Sequence, residues 1–237
     1  SVKNISKSYA QKIILQKLSF SVRKGTTLGI LGESGSGKTT LLRIIAGLLE
    51  PDAGTIKLGK EVIKPPSGTL VAGHEKIKLV QQDFQLFPNI SVRENISYPI
   101  RKYEKDFISQ RTEILLQLCS LEKVQDQLPK EISGGEKQRT AIAQVLADEP
   151  EVLLLDEPFN QLDIFRKKVL KSEIQKIVKK LKITCLLVSH DVADLTELAT
   201  EMMILQDGKI IQSGTTQSIF DNPVNDYVAV FIGKNSF

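Results

Sequence analysis

The sequence predicts an α/β fold built on a parallel sheet covered on both faces. Three observations carry this. Thr27–Leu31, Val152–Leu155 and Ile183–Val188 are short apolar runs, as buried parallel strands are. Strand-like and helix-like segments alternate along the chain. A glycine-rich loop joins the first of those runs to a helical pattern. The 237 residues suit one large domain, or a domain with an inserted subdomain. Charged residues make up 25% and hydrophobic ones 41%, which excludes a disordered tail, a collagen-like repeat and a disulfide scaffold. The wholly apolar runs are far shorter than the ~20 residues of a spanning helix.

Taken in order, Val2–Tyr9 and Ile13–Phe20 read as short strands around Ala10-Gln11-Lys12. Thr27–Leu31 is a buried strand bounded by Gly25 and Gly32. Thr39–Leu49 has helical spacing through Leu41, Leu42, Ile45 and Leu49, and Pro51-Asp52-Ala53-Gly54 is a turn. Thr55–Val80 reads as short strands around Pro65-Pro66-Ser67-Gly68. His74 lies in a loop-like insertion there and receives no role. Residues 88–145 are mostly helical; Asp106–Leu121 puts Ile108, Ile114, Leu115 and Leu118 on one side. Val152–Leu155 and Ile183–Val188 are strands, and Ile164–Lys182 between them is an amphipathic helix with Leu170, Ile174, Ile177 and Leu181 as its buried stripe.

The net charge of +4 is too small to argue for nucleic acid. It is unevenly spread: Ile164–Lys182 carries eight Lys and Arg against Glu173 alone. Such a run reads first as a solvated basic face and second as a contact for an anionic membrane surface. Cys119 and Cys185 form no C-x-x-C pair, and two lone cysteines fit a reducing compartment. With no secretory signal at the start, localisation reads as cytoplasmic.

Two segments carry chemistry. Gly32-Glu33-Ser34-Gly35-Ser36-Gly37-Lys38-Thr39 matches G-x-x-x-x-G-K-[ST] between a strand and a helix. Glycines let the backbone curl so that N–H groups point inward, and the helix start adds positive potential, which suits a phosphate. Lys38 is placed for the β- and γ-phosphates and Thr39 for Mg²⁺. Leu153-Leu154-Leu155-Asp156-Glu157-Pro158 ends a buried strand in two acids whose side chains leave opposite faces. Asp156 suits Mg²⁺, and Glu157 suits activation of an attacking water.

Ile132-Ser133-Gly134-Gly135-Glu136 closely resembles the LSGGQ signature of ABC-transporter nucleotide-binding domains. Gln82 in Val80-Gln81-Gln82-Asp83-Phe84 resembles the Q-loop glutamine, Asn160-Gln161-Leu162-Asp163 the D-loop, and His190 in Val188-Ser189-His190-Asp191 the switch histidine. The resemblance covers essentially the whole chain. It implies a P-loop NTPase core with a parallel-sheet RecA-like subdomain, an antiparallel β subdomain and a helical subdomain. The core would take residues 1–87 and 148–237, and the helical subdomain 88–147. It implies ATP and Mg²⁺ at Ser34, Gly35, Ser36, Gly37, Lys38, Thr39 and Thr40, with Tyr9 stacking on adenine. Gln82 would sense Mg²⁺ and water, and His190 would hold the γ-phosphate. Ser133, as a helix N-cap with Gly134 and Gly135 in the first turn, would close over ATP held by a second copy. Transmembrane permease subunits, a paired ATPase subunit and a solute-binding protein acting through the permease are the implied partners, without nucleic acid. Phe84-Gln85-Leu86-Phe87-Pro88 is the expected docking segment.

Three departures stand out. Glu136 replaces the usual signature glutamine, Ile132 the usual leucine, and Asn160-Gln161 the usual Ser-Ala of the D-loop. Phe220-Asp221-Asn222-Pro223 through Phe231-Ile232-Gly233 resembles the end of the ATPase domain in importers of iron, polyamine or sugar type. Those usually continue into a C-terminal regulatory β-domain; the chain stops at Phe237, so that domain is lacking or was cut away. The expected function is the ATPase subunit of a membrane importer, peripheral on the inner face of the cell membrane. The alternatives are a regulatory or mechanical ATPase of cell-division type, and a nucleotide-binding module with little turnover.

Overall fold

The computed structural model describes residues 1–81, 86–160 and 162–234. In chain order its main elements begin with β1 (Val2–Tyr9), β2 (Lys12–Phe20), β3 (Thr27–Leu31), α1 (Lys38–Ile45), β4 (Ala53–Leu58), β5 (Glu61–Val62) and β6 (Ile77–Val80). Then come α2 (Val92–Ser97), α3 (Lys105–Leu118), α4 (Gly134–Leu146), β7 (Val152–Asp156), α5 (Ile164–Leu181) and β8 (Thr184–Ser189). The chain closes with α6 (Val192–Thr196), β9 (Glu201–Gln206), β10 (Lys209–Thr215), α7 (Thr216–Asp221) and α8 (Asp226–Phe231).

Two sheets form. One is antiparallel, in the order β2-β1-β4-β5. The other runs β10-β9-β3-β8-β7-β6 and is parallel except for β10 against β9. Alternate residues of the parallel strands feed two cores. Leu154, Leu186 and Val188 pack with α1 and the antiparallel sheet. Leu153, Leu155, Cys185 and Leu187 pack with α2 to α5. Period-two alternation with both faces covered is why these strands read as unbroken apolar runs. Truncating one such leucine to alanine costs about 2–5 kcal/mol.

Two helices end earlier than their spacing predicts. α1 stops at Ile45, not Leu49, because Gly47 takes φ +71. The Leu48 N–H then reaches back to the Arg43 carbonyl (2.9 Å) and the Gly47 N–H to that of Ile44 (3.0 Å), a Schellman closure. Ser120, at φ +54, closes α3 in the same way, with the Leu121 N–H on the Leu116 carbonyl (2.9 Å) and Leu121 buried. The buried side of α3 is Arg111, Thr112, Leu115 and Leu116; Ile114, expected inside, is exposed. The Arg111 guanidinium explains part of that shift, since it caps the end of α4 at the Leu146 carbonyl (2.7 Å). α5 buries Leu170, Ile174 and Ile177 as expected, with Leu181 half-buried.

Register positions the site. Leu31 pairs with Ser189 and Asp156 with Val188, so β3, β7 and β8 end together. The segments beginning at Gly32, Glu157 and His190 therefore leave one edge of the sheet, the carboxyl edge where ligands bind in open α/β sheets. His74 stays in its loop, its Nδ1 accepting the Lys76 N–H (3.2 Å).

Candidate functional site

The loop from Gly32 to Gly37 wraps the start of α1. Glycine is required at two points. A side chain at Gly32 would stand 2.4 Å from the Leu205 carbonyl oxygen. Gly37 is the N-cap at φ +101, where a Cβ would come within 2.9 Å of the Ile14 carbonyl oxygen. No side chain caps α1, so the first-turn N–H groups of Lys38, Thr39 and Thr40 keep no intrahelical acceptor. The Ser36 hydroxyl is buried with no hydrogen-bond partner. An uncapped helix start beside an orphaned hydroxyl suits an anion.

Lys38 is buried, and its ammonium donates to the carbonyls of Gly32 (2.7 Å) and Glu33 (2.9 Å). Its Nζ lies 3.7 Å from Glu157. Burial lowers its pKa, and the carboxylates of Glu157 and Asp156 oppose that. The Thr39 hydroxyl donates to Asp156 Oδ1 (3.0 Å). Burial raises the Asp156 pKa, while the Thr39 bond lowers it. A hydroxyl and a carboxylate beside a phosphate cradle are the hard oxygen donors that Mg²⁺ takes, with phosphate and water completing its shell. Among the described residues no cluster of three His, Cys, Asp or Glu forms a metal site. Thr39 and Asp156 supply two such oxygen donors at the edge of the cradle.

The two acids do diverge, but strand alternation is not the cause. β7 ends at Asp156, and Glu157 turns off it at φ +48. Its N–H donates to the Val188 carbonyl (3.2 Å), and its carboxylate sits 2.9 Å from His190 Nδ1. His190 is half exposed, and Glu157 much less so. A cleft of about 420 Å³ is lined by Ser34, Gly35, Gly37, Lys38, Thr39 and Thr40 together with Glu157, Asn160 and His190.

Lys12 and Ile14 also line that cleft, and the sequence carries no signal for them. The β1–β2 hairpin register brings them in. Tyr9 pairs with Lys12 in that hairpin and is half exposed, outside the cleft lining. Asn160 also lines the cleft. Ser133 caps α4, with Gly134 and Gly135 in the first turn. The Ser133 hydroxyl accepts the Glu136 N–H (3.4 Å) and the Ser133 N–H donates to the Glu136 carboxylate (2.8 Å), which together form a capping box; the hydroxyl also donates to that carboxylate (2.7 Å). None of these signature residues lines the cleft of its own chain. Gln82, Phe84, Gln85 and Gln161 lie outside the described residues. Leu86 packs against the core, and Phe87 is tied to Asn95 through its N–H (2.8 Å) and its carbonyl (3.1 Å).

A phosphate loop after a central parallel strand, a hydroxyl–carboxylate pair and a glutamate–histidine dyad at one sheet edge define a P-loop nucleotide hydrolase. Comparison with known proteins narrows this. The family described as ABC transporter matches residues 15–160, and the chain belongs to that family. It is 40% identical to the probable sulfate/thiosulfate import ATP-binding protein CysA of Chlorella vulgaris, over 98% of each chain. It is 37% identical to the spermidine/putrescine import ATP-binding protein PotA of Thermotoga maritima; all of this chain aligns, spanning 64% of that protein's length. Among solved structures it resembles the dimeric post-hydrolysis state of the ATP-binding cassette MJ0796 bound to ADP and Pi. The TM-score is 0.79 at 27% identity, over 90% of this chain and 97% of that one. The chain is an ATPase of the ABC type. Among the described residues no helix is long and apolar enough to cross a membrane.

Proposed function

We propose that this chain is the ATP-hydrolysing subunit of an ABC importer, working as a head-to-tail pair on the inner face of a membrane. One observation carries the reading. Glu157 is held at an open phosphate cleft, between the His190 imidazole (2.9 Å) and the Lys38 ammonium (3.7 Å). The relatives named as import ATP-binding proteins support the direction of transport.

ATP enters with its phosphates against the N–H groups of Gly35 to Thr40 and its γ-phosphate toward His190. Lys38 trades its carbonyl partners for β- and γ-phosphate oxygens. Thr39 and Asp156 would hold Mg²⁺, joined by Gln82 as the family resemblance implies, and the bound ion would neutralise charge at the phosphates. Glu157 accepts the proton of the attacking water, and His190 steadies the charge that develops on the transferred phosphoryl group. Tyr9 stacks on adenine from the hairpin end. Ser133, Gly134 and Gly135 cover the γ-phosphate in the second copy.

Residues 88–147 form the helical subdomain and the rest the core. The permease docks beside Leu86 and Phe87, whose ring lies on Tyr98 with centroids 4.3 Å apart. A solute-binding protein acts through that permease, and nucleic acid is not a partner. The test is steady-state hydrolysis with Mg²⁺ for wild type and Glu157→Gln, with oligomeric state read in ATP. Turnover by the wild type and an inactive, ATP-dimerised variant is expected. A variant that still turns over removes Glu157 as the base.

A further inference from the structure

We propose that the groove between the end of α3 and the outer face of α5 binds an extended acidic peptide segment of a partner protein. The groove, of about 880 Å³, is larger than the nucleotide cleft. Its lining includes Leu118 and Val169, with Lys168, Lys176, Lys179 and Lys180 along α5.

The basic run of α5 divides in two. Its inner lysines are neutralised: Lys167 meets Asp194 at 3.3 Å, and Lys171 meets the same carboxylate at 3.4 Å. Its groove-side lysines are not. Among the described residues, Lys168, Lys176, Lys179 and Lys180 form no ion pair within 4.0 Å. Glu173 is the single carboxylate in the lining. It is nearly buried, faces Arg139 of α4 at 3.6 Å and also feels the Lys176 charge, so a single carboxylate stands against four lysines in the lining.

Shape and spacing choose the occupant. Residues four apart on a helix rise about 6 Å, which places Lys176 and Lys180 near the ~7 Å repeat of alternate side chains on an extended strand. A peptide with acids at alternate positions matches that row and can turn an apolar side chain onto Leu118 and Val169. A bilayer presents a broad, flat surface, which matches a groove less well than a single extended strand does. A single-stranded nucleic acid would need aromatic faces for its bases, and the lining has none. Unpaired like charges around an apolar floor are the electrostatic complement of an acidic segment. This groove shares no lining residue with the nucleotide cleft, so peptide binding there does not depend on hydrolysis.

The test uses the whole chain and a short fluorescein-labelled peptide alternating glutamate with leucine and alanine, read by anisotropy. Binding is expected to weaken about tenfold in Lys176→Glu/Lys180→Glu, and to change less than about twofold in the charge-matched Lys3→Glu/Lys209→Glu control. Lys176→Gln/Lys180→Gln repeats the test without placing acids near the α5 C-terminus, should the first pair impair folding. Absence of binding by the wild type, or equal weakening in both charge-matched variants, overturns the proposal. So does lysine-dependent binding to phosphatidylserine vesicles without binding to the peptide.

Discussion

Glu157 stands at φ +48, where a Cβ is crowded by the backbone. For a residue other than glycine this conformation costs about 1–2 kcal/mol. Replacing Glu157 by alanine deletes the carboxylate, its contact with His190 and its ion pair with Lys38, but keeps the Cβ and the strain. Glycine deletes the same contacts and the strain as well. Comparing the two variants therefore cancels the lost contacts and isolates the backbone. Glycine also loosens the unfolded chain, at a cost of about 0.4–1 kcal/mol. The balance leaves Glu157→Gly more stable than Glu157→Ala by about 0.5–1 kcal/mol. For a chain of this size that is roughly 1–4 °C in Tm. The assay is thermal unfolding without nucleotide, checked by urea midpoints. Both variants lose the general base, and hydrolysis falls about 10²–10⁴-fold in each. An alanine variant as stable as the glycine one would refute the claim that this turn stores strain to aim its carboxylate.

Asp156→Asn tests the buried acid. Burial raises the folded-state pKa above 3.8, so folding stability falls as pH rises through the raised value. The variant is expected to melt higher than wild type at neutral pH without nucleotide, to lose that gain below pH 3.8, and to lose Mg²⁺-dependent turnover. Glu136→Gln tests the capping box. The Ser133 donors hold the Glu136 pKa below 4.5, so its stabilisation is present above that pH and is lost as pH falls through the lowered value. A loss of about 0.5–1 kcal/mol at neutral pH, which shrinks as pH falls through that lowered value, is expected in urea titrations. Gly37→Ala drives a Cβ toward the Ile14 carbonyl oxygen at 2.9 Å and φ +101. It should cost about 2 kcal/mol or more and abolish the thermal shift given by ATP; wild-type ATP protection would contradict the cradle.

Much of the site was legible because its chemistry is local. Gly32 to Thr39 needs only a strand, a turn and a helix start in sequence, and Ser133 to Glu136 is a cap that closes within one helical turn. The buried strands were legible because both faces of a parallel sheet are apolar. Helix ends were less so. Gly47 and Ser120 stop α1 and α3 through left-handed residues that hydrophobic spacing does not register. Ile114 faces solvent where its spacing predicts burial, because Arg111 turns inward to cap α4, a contact between two helices that neither helix's own pattern records.

The sequence by itself carried the α/β class and singled out Lys38, Thr39, Asp156 and Glu157, since each sits in a short motif with its own chemical reason, while His190 was singled out through the family resemblance. Only the tertiary structure decided that these residues meet. Pairing of Leu31 with Ser189 and of Asp156 with Val188 is a long-range register, and it alone brings three separate loops to one edge. The same holds for Lys12 and Ile14, which a hairpin delivers to the cleft, and for α5. Its lysines share one composition, yet Asp194 neutralises the inner ones and an open groove leaves the outer row unpaired. Composition records how much charge a helix carries, whereas what faces that charge depends on packing between elements distant in the chain.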